Sequence, residues 1–145
     1  MYTHILVTTD GSEFSKKAFT HAVELAKFAN ARLTAVTVTS PIQYVAIEGM
    51  VYPEDPEKFQ QMAVAHAEAA LDAVADVARA QGVECERVHV ENPQPYEGII
   101  TTAKEKGCDL IVMASHGRRG FQALLLGSET QKVLTHSTIP VLVYR

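Results

Sequence analysis

The sequence is poor in cysteine, in excess positive charge and in long apolar runs, and each shortage argues against a class of protein. Its two cysteines, Cys85 and Cys108, form neither a Cys-x-x-Cys pair nor a disulfide framework, so we expect unreactive thiols in a reducing compartment. His89 follows Cys85 by four residues, but no second pair of ligands lies near them. A tetrahedral metal site is therefore not expected.

The charge balance and the short apolar runs indicate a protein that binds neither nucleic acid nor a membrane. Thirteen Lys and Arg stand against seventeen Asp and Glu, a net charge of -4, so no basic field is available for a phosphodiester backbone. The longest apolar run, Leu110 to Ala114, is far shorter than the roughly 18 residues that a membrane span needs. Met1 leads directly into a strand-like segment without the features of a signal peptide, so we expect a cytoplasmic protein.

The hydrophobic pattern predicts an α/β fold. Short β-rich runs alternate with longer segments whose apolar residues recur every three or four positions. The predicted strands cover 4–9, 33–38, 84–90, 109–114 and 140–144, and the predicted helices cover 12–29, 56–81, 96–106 and 128–136. The 145 residues fit one domain. We therefore predict a single doubly wound domain, with a five-stranded, mostly parallel sheet and helices on both faces.

The loop after the first predicted strand contains Asp10, for which two roles are open. Its spacing to Glu13 resembles a capping box at the start of the first helix. In open α/β sheets, however, ligands bind beyond the carboxyl ends of the strands, where an aspartate can accept a hydrogen bond from a ribose hydroxyl. The two roles are compatible.

The loop after the fourth predicted strand is rich in glycine, including Gly117, Gly120 and Gly127. Glycines let backbone amides approach an anion closely, and the N terminus of a helix favours a phosphate. Ser128 followed by Gln131 has the spacing of a capping box, which would open the last helix. The loop matches neither the Walker motif nor the dinucleotide fingerprint. The glycine spacing alone leaves a phosphate site and a plain pair of turns equally open.

Other residues near this loop also have more than one interpretation. Arg118 and Arg119 are either solvated charges or fork donors to phosphates. His116 is interpreted as a hydrogen-bonded loop histidine, because no nucleophile or carboxylate is evidently placed beside it. The long loop over 39–55 is either an adaptable lid or a connector.

In these segments the chain resembles the nucleotide-binding branch of the universal stress protein family. That branch has a glycine, two residues, a glycine, nine residues, and then a glycine with Ser or Thr. Here nine residues separate Gly117 from Gly127 and Ser128, and Ala114 stands at the position of the first glycine. The opening Ile-Leu-Val-Thr-Thr-Asp-Gly-Ser and the closing Ile-Pro-Val-Leu-Val also resemble the family, so the resemblance covers residues 1–145.

The resemblance implies a Rossmann-like fold of the adenine nucleotide alpha hydrolase type that binds ATP, or alternatively AMP or ADP. Thr8 and Asp10 would border the adenosine, with Asp10 on the ribose, and Val38 would contact the adenine. Mg²⁺ or Mn²⁺ would bind through the phosphates. The residues implied to line the phosphates, mostly through backbone amides, are Ala114, Gly117, Arg118, Gly127, Ser128 and Glu129.

The last predicted strand suggests self-association. Val141 to Tyr144 carry no charge, and an uncharged strand at a sheet edge invites pairing. The resemblance implies a homodimer through this strand, whereas no feature of the sequence identifies another protein partner. We expect a regulatory protein of the stress response with slow or no ATP hydrolysis. A dimeric scaffold of the same family without nucleotide is the alternative, and Ala114 is the main argument for it.

Two further classes of protein share features with this sequence. A Gly-x-x-Gly loop of the RNA-binding KH type is rejected, because that loop joins two helices whereas Gly117 and Gly120 follow a buried strand. An electron-transfer flavoprotein or a nucleotidyl-transfer enzyme could share the fold, which by itself does not determine function.

Overall fold

The computed structural model describes residues 1–41, 53–117 and 125–145, and within them strands and helices alternate along the chain. The strands are β1 (His4–Thr8), β2 (Arg32–Thr39), β3 (Cys85–Glu91), β4 (Leu110–Ala114) and β5 (Val141–Tyr144). The helices are α1 (Glu13–Ala29), α2 (Pro56–Ala80), α3 (Pro95–Glu105) and α4 (Ser128–His136). The predicted α/β class and order of elements are confirmed, and no element end is displaced by more than one residue.

The five strands form one parallel sheet in the order β3-β2-β1-β4-β5. In its register, Ile5 of β1 lies between Leu33 of β2 and Leu110 of β4. Along the chain, β2 and β3 are added on one side of β1, and β4 and β5 are then added on its other side. The strand order therefore reverses between β1 and β4, and the carboxyl ends of these two strands open a crevice of the kind in which such folds bind ligands.

Two apolar layers hold the helices against the sheet. On one face, Ile5 and Val7 pack with buried residues of α1 and α2. On the other face, Leu6 and Ile111 pack with buried residues of α3 and α4. Every residue of β4 is buried, because this strand is covered on both faces.

β5 is an edge strand, as its sequence suggests. It pairs with β4 along one side, and all four of its residues are half-buried. Within the described ranges, none of the helices combines the length and the apolar character needed to cross a bilayer.

The start of α1 differs from the predicted capping box. The N-cap is Ser12, whose hydroxyl oxygen accepts a hydrogen bond from the Ser15 backbone N–H at 3.2 Å. Asp10 lies two residues before Ser12, and its Oδ1 accepts a hydrogen bond from the Ser12 N–H at 2.9 Å. The predicted Asp10–Glu13 box is therefore wrong, because the helix begins two residues later than that box requires. The predicted left-handed stop at Asn30 is confirmed, with φ 53°.

The start of α4 also differs. Gly127 is the N-cap, and Ser128 is the first helical residue. The predicted Ser128–Gln131 capping box is wrong, since a helical Ser128 cannot cap its own helix. The Gln131 side chain instead donates from Nε2 to the Leu126 carbonyl oxygen at 2.8 Å.

A buried histidine lies at the opposite end of the sheet from the crevice. His4 is only 4% exposed, and its Nε2 lies 2.7 Å from the Thr34 hydroxyl oxygen. Burial, helped by the nearby Arg32 guanidinium, lowers the pKa of His4 below its ordinary value of 6.5. The carboxylates of Asp109 and Glu86 oppose this shift without reversing it.

We expect His4 to make the fold less stable as the pH falls. Below pH 6.5, His4 is protonated in the unfolded chain but remains neutral in the folded protein. The free energy of unfolding therefore decreases as the pH falls, until the pH passes the lowered pKa of the folded state. Urea unfolding between about pH 7.5 and about pH 5 should show a steeper loss for the wild type than for His4→Gln. His21→Gln, at an exposed histidine, is the matched control. Equal slopes for the wild type and His4→Gln would contradict this account.

Candidate functional site

Two loops meet at the crevice where the strand order reverses. The β1 loop brings in Asp10, and the β4 loop brings in Gly117. A Cβ added at Gly117 would lie 3.0 Å from Asp10 Oδ2, so the two loops approach closely at this point. The structure therefore brings together two residues that the sequence predicts to share a site, although 106 residues lie between them along the chain.

Hydrogen bonds fix the shape of the β1 loop. The Thr9 N–H donates to the Val36 carbonyl oxygen at 3.0 Å, which extends the pairing with β2 beyond the end of β1. Gly11 follows with φ +79°, a backbone conformation that a side chain would strain. His66 Nε2 of α2 lies 3.3 Å from the Asp10 carbonyl oxygen. The half-buried Asp10 carboxylate, with Oδ1 on the Ser12 N–H, is thus held at the mouth of the crevice.

Ala114 ends β4 without backbone strain. It is 8% exposed, and its carbonyl oxygen accepts a hydrogen bond from Thr130 Oγ1 of α4 at 3.0 Å. Among the described residues other than glycine, a positive φ occurs at Asn30 alone. Position 114 therefore does not require the left-handed conformation for which glycine would be needed.

The N terminus of α4 is held against the β4 loop by a backbone contact. The Gly127 N–H donates to the Ser115 carbonyl oxygen at 2.7 Å. A Cβ added at Gly127 would lie 3.1 Å from that oxygen and 3.4 Å from His116 Cα, so a side chain would collide with backbone. The first N–H groups of a helix have no partner within the helix, and those of α4 therefore offer a place for an anion beside the loop.

Glu129 lies in the first turn of α4, but its side chain is directed to a neighbouring helix. Its Oε2 accepts a hydrogen bond from the Tyr96 N–H of α3 at 3.0 Å, and its Oε1 lies 3.3 Å from Lys132 Nζ. Ser128, by contrast, is exposed. Any contact of Glu129 with an anion would therefore be made by its backbone amide.

The candidate adenosine residues lie at the ends of two adjacent strands. Thr8 ends β1, and in the register of the sheet it pairs with Val36 of β2. Val38 lies two residues further along β2 and is half-buried against α3. A Cβ added at Gly98 would be only 3.0 Å from both methyl carbons of Val38, so the helix backbone supports this side chain directly.

Some predicted residues lie outside the described ranges. Arg118, Arg119 and most of the 39–55 loop fall there. His116 is described, and it is hydrogen-bonded as predicted: its Nδ1 lies 2.9 Å from the Ser115 hydroxyl oxygen. Its Nε2 is buried and has no hydrogen-bond partner in the part of the chain that the structure describes.

Sequence reasoning missed the supporting residues Thr130, Gly98, His66 and Tyr96. Each acts through a contact between elements far apart in the sequence, and none belongs to a recognisable local motif. The glycine inside a predicted helix, Gly98, is the one signal that could have prompted a search for a close approach.

The two cysteines lie away from the crevice, since Cys85 begins β3 and Cys108 precedes β4 at the opposite end of the parallel sheet. Burial raises the pKa of Cys108 to about 11 and also raises the pKa of Cys85, so both thiols are protonated at neutral pH. Across residues 1–41, 53–117 and 125–145, no group of three or more His, Cys, Asp or Glu side chains could hold a metal ion. What these ranges provide is a polar crevice with a carboxylate at one end and helix amides at the other.

Comparisons with known proteins show which family of chains this protein is similar to. The model of the universal stress protein family matches residues 1–145. The universal stress protein YxiE of Bacillus subtilis is 35% identical over 151 residues, which cover all of both chains. The structure of a universal stress protein from Lactobacillus plantarum superimposes with a TM-score of 0.77 at 28% identity, covering 99% of this chain and 98% of that one. A universal stress protein in complex with cAMP has a TM-score of 0.71 at 27% identity, covering 99% and 97%.

The two crevice glycines should respond differently to the addition of one methyl group. Gly127→Ala should lower the free energy of unfolding by about 1–3 kcal/mol, because its Cβ would lie 3.1 Å from the Ser115 carbonyl oxygen, which is already held by its hydrogen bond with the Gly127 N–H. Gly117→Ala should cost less than about 1 kcal/mol, because its Cβ meets one side-chain oxygen of Asp10 and no backbone atom, and a side chain can shift by a few tenths of an ångström. Neither glycine has a positive φ, so urea unfolding of the two variants compares the contacts alone. Equal costs would mean that the contact between Gly127 and Ser115 is looser than described.

Proposed function

The chain belongs to the universal stress protein family, and we propose that it is an ATP-binding member, with AMP or ADP as alternative ligands. The observation that carries the proposal is the meeting of Asp10 and Gly117 at the point where the strand order reverses. A relative 27% identical to this chain was solved with cAMP, an adenine nucleotide. That relative supports the class of ligand.

The adenosine would lie over the ends of β1 and β2. Asp10 would accept a hydrogen bond from a ribose hydroxyl, and the hydrogen bond from Ser12 already fixes the orientation of its carboxylate. Thr8 would border the nucleoside. Val38 would provide the apolar contact for the adenine, because it is half-buried and rests on the backbone of α3.

The phosphates would lie at the N terminus of α4. Ser128 and Glu129 would contribute backbone amides, and Ser128 is exposed, so its hydroxyl could add a donor. Gly127 allows the helix end to approach the β4 loop. Ala114, Gly117 and Arg118 would complete the phosphate contacts, although Arg118 lies outside the described residues. Mg²⁺ or Mn²⁺ would be held through the phosphates.

A regulatory role follows from this binding mode. Phosphoryl transfer depends on groups that orient the nucleophile and neutralise the transferred phosphate. The described crevice residues provide helix amides and one carboxylate, and both are suited to binding a nucleotide. We therefore propose a cytoplasmic protein of the stress response in which ATP occupancy, with slow or no hydrolysis, alters the surface presented to partners. It would act as a homodimer formed through β5.

Calorimetric titration of nucleotide-stripped protein with ATP and magnesium tests the nucleotide site. We expect micromolar binding by the wild type and none by Gly117→Val or Gly127→Val, because a branched side chain at either position fills the close approach. Circular dichroism must show that both variants remain folded. Ala114→Gly is the matched control, with equal or tighter affinity. Unchanged affinity in both valine variants would refute the site, and the absence of binding by the wild type would favour the scaffold without nucleotide.

The proposed dimer has its own test at the outer edge of β5. The carbonyl oxygens of Pro140 and Tyr144 accept hydrogen bonds from the N–H groups of Ile111 in β4 and of Ser115 just beyond it. The alternate residues of β5, including Val143, therefore direct their backbone groups outward. Val143→Pro removes an outward N–H and spares the bonds to β4. Sedimentation equilibrium should find a wild-type dimer, a dimer of the matched Val143→Thr, and a monomer of Val143→Pro. A wild-type monomer, or a Val143→Pro dimer of unchanged strength, would exclude pairing through this strand.

A further inference from the structure

The first turn of α3 is capped by a residue of another helix. Its N-cap, Gln94, makes no side-chain capping hydrogen bond, and Pro95 has no N–H to donate. The first backbone donor of the helix is therefore the Tyr96 N–H. It donates to Glu129 Oε2 of α4 at 3.0 Å, so the cap that the local sequence lacks comes from 33 residues further along the chain.

Glu129 interacts with the N-terminal turns of both α3 and α4. It is the second residue of α4, where a carboxylate is favoured by the positive end of the helix dipole, and it faces the equivalent end of α3. Lys132, one turn later in α4, approaches Glu129 Oε1 at 3.3 Å and lies 5.9 Å from the centre of the Tyr96 ring. One carboxylate therefore joins the first turns of α3 and α4.

The first turn of α3 also supports the candidate adenine contact. Gly98 lies in this turn, and its N–H donates to the Gln94 carbonyl oxygen at 3.3 Å. Its Cα faces Val38 so closely that an added Cβ would be 3.0 Å from both methyl carbons. A change in the position of this turn would therefore change the surface on which Val38 rests.

We propose that Glu129 is a positioning residue that couples the two ends of the nucleotide site. Its backbone belongs to the helix end that would bind phosphate, and its carboxylate fixes the helix turn that supports Val38. This inference rests on the proposed function. It assigns to the Glu129 side chain a role that differs from direct contact with the phosphates.

The charge of Glu129 has a competing effect that the experiment must separate. A carboxylate near phosphates repels them, so its removal alone would tighten ATP binding. Glu129→Gln loses the charge but keeps an oxygen that can accept from the Tyr96 N–H, whereas Glu129→Ala loses both. The ratio of the two dissociation constants therefore isolates the hydrogen bond.

ATP titrations of both variants test the coupling. Positioning predicts that Glu129→Ala binds ATP at least about fivefold more weakly than Glu129→Gln. Glu97→Ala is the matched control, because it removes an exposed carboxylate from the same turn of α3 without touching the Tyr96 N–H, and its ATP affinity should stay within about twofold of wild type. A ratio near one between the Glu129 variants would overturn the proposal.

Hydrogen exchange in the nucleotide-free protein gives a second readout that does not depend on binding. The Tyr96 amide should exchange about tenfold faster in Glu129→Ala and at the wild-type rate in Glu129→Gln and Glu97→Ala. Equal exchange rates in the wild type and the three variants would contradict the proposed cap, whatever the result of the ATP titrations. If the wild type binds no ATP, the proposed function and the coupling both fail, and the exchange rates still decide whether Glu129 caps α3.

Discussion

The parallel pairing of β1 with both β2 and β4 is the constraint on which the rest of the molecule depends. A central strand that is paired on both sides and covered by helices on both faces favours apolar side chains, and residues 5–7 in the middle of β1 are fully buried. The chain adds strands first on the β2 side and then on the β4 side. The helices that follow β1 and β4 must therefore diverge to opposite faces, and the crevice between their loops is a consequence of this topology.

Close backbone approach then decides which residues can line the crevice. At position 127 an added Cβ would meet the Ser115 carbonyl oxygen, and at position 117 it would meet the Asp10 carboxylate. Position 114 has no such requirement, since Ala114 continues β4 in an unstrained conformation. The glycine pattern thus reflects which atoms lie close to the backbone at each position. The effect of replacing a glycine depends on the atoms that the added Cβ would contact.

The sequence predicts the architecture more reliably than it predicts how the helices are capped. The alternation of apolar periods predicts the α/β fold because burial on one or two faces affects every residue of a strand or helix. The capping boxes at Asp10 and Ser128 were wrong because a cap depends on the single residue at which the backbone turns. Ser12 and Gly127 occupy those positions, one or two residues away. Several residues would satisfy the same local pattern, so only the fold distinguishes them.

The site was predictable where it follows from topology and unpredictable where it depends on contacts between helices. Asp10 and Gly117 could be assigned to one crevice because the ends of adjacent parallel strands must lie together. The contact between Glu129 and Tyr96 could not be predicted, because the capping of α3 by α4 depends on how two helices pack on the same face of the sheet. Pro95 and Gln94 look locally like an ordinary helix start, and the missing side-chain cap becomes visible only in the folded chain.

Ser115 links the crevice to the open edge of the sheet. Its N–H donates to the Tyr144 carbonyl oxygen of β5 at 2.8 Å, and its own carbonyl oxygen accepts from the Gly127 N–H at 2.7 Å. One residue is therefore bonded through its backbone both to the edge strand and to the N-cap of α4. The backbone of Ser115 therefore connects the proposed phosphate site with the proposed dimer edge, and a bound nucleotide would lie only one residue away from a hydrogen bond to β5.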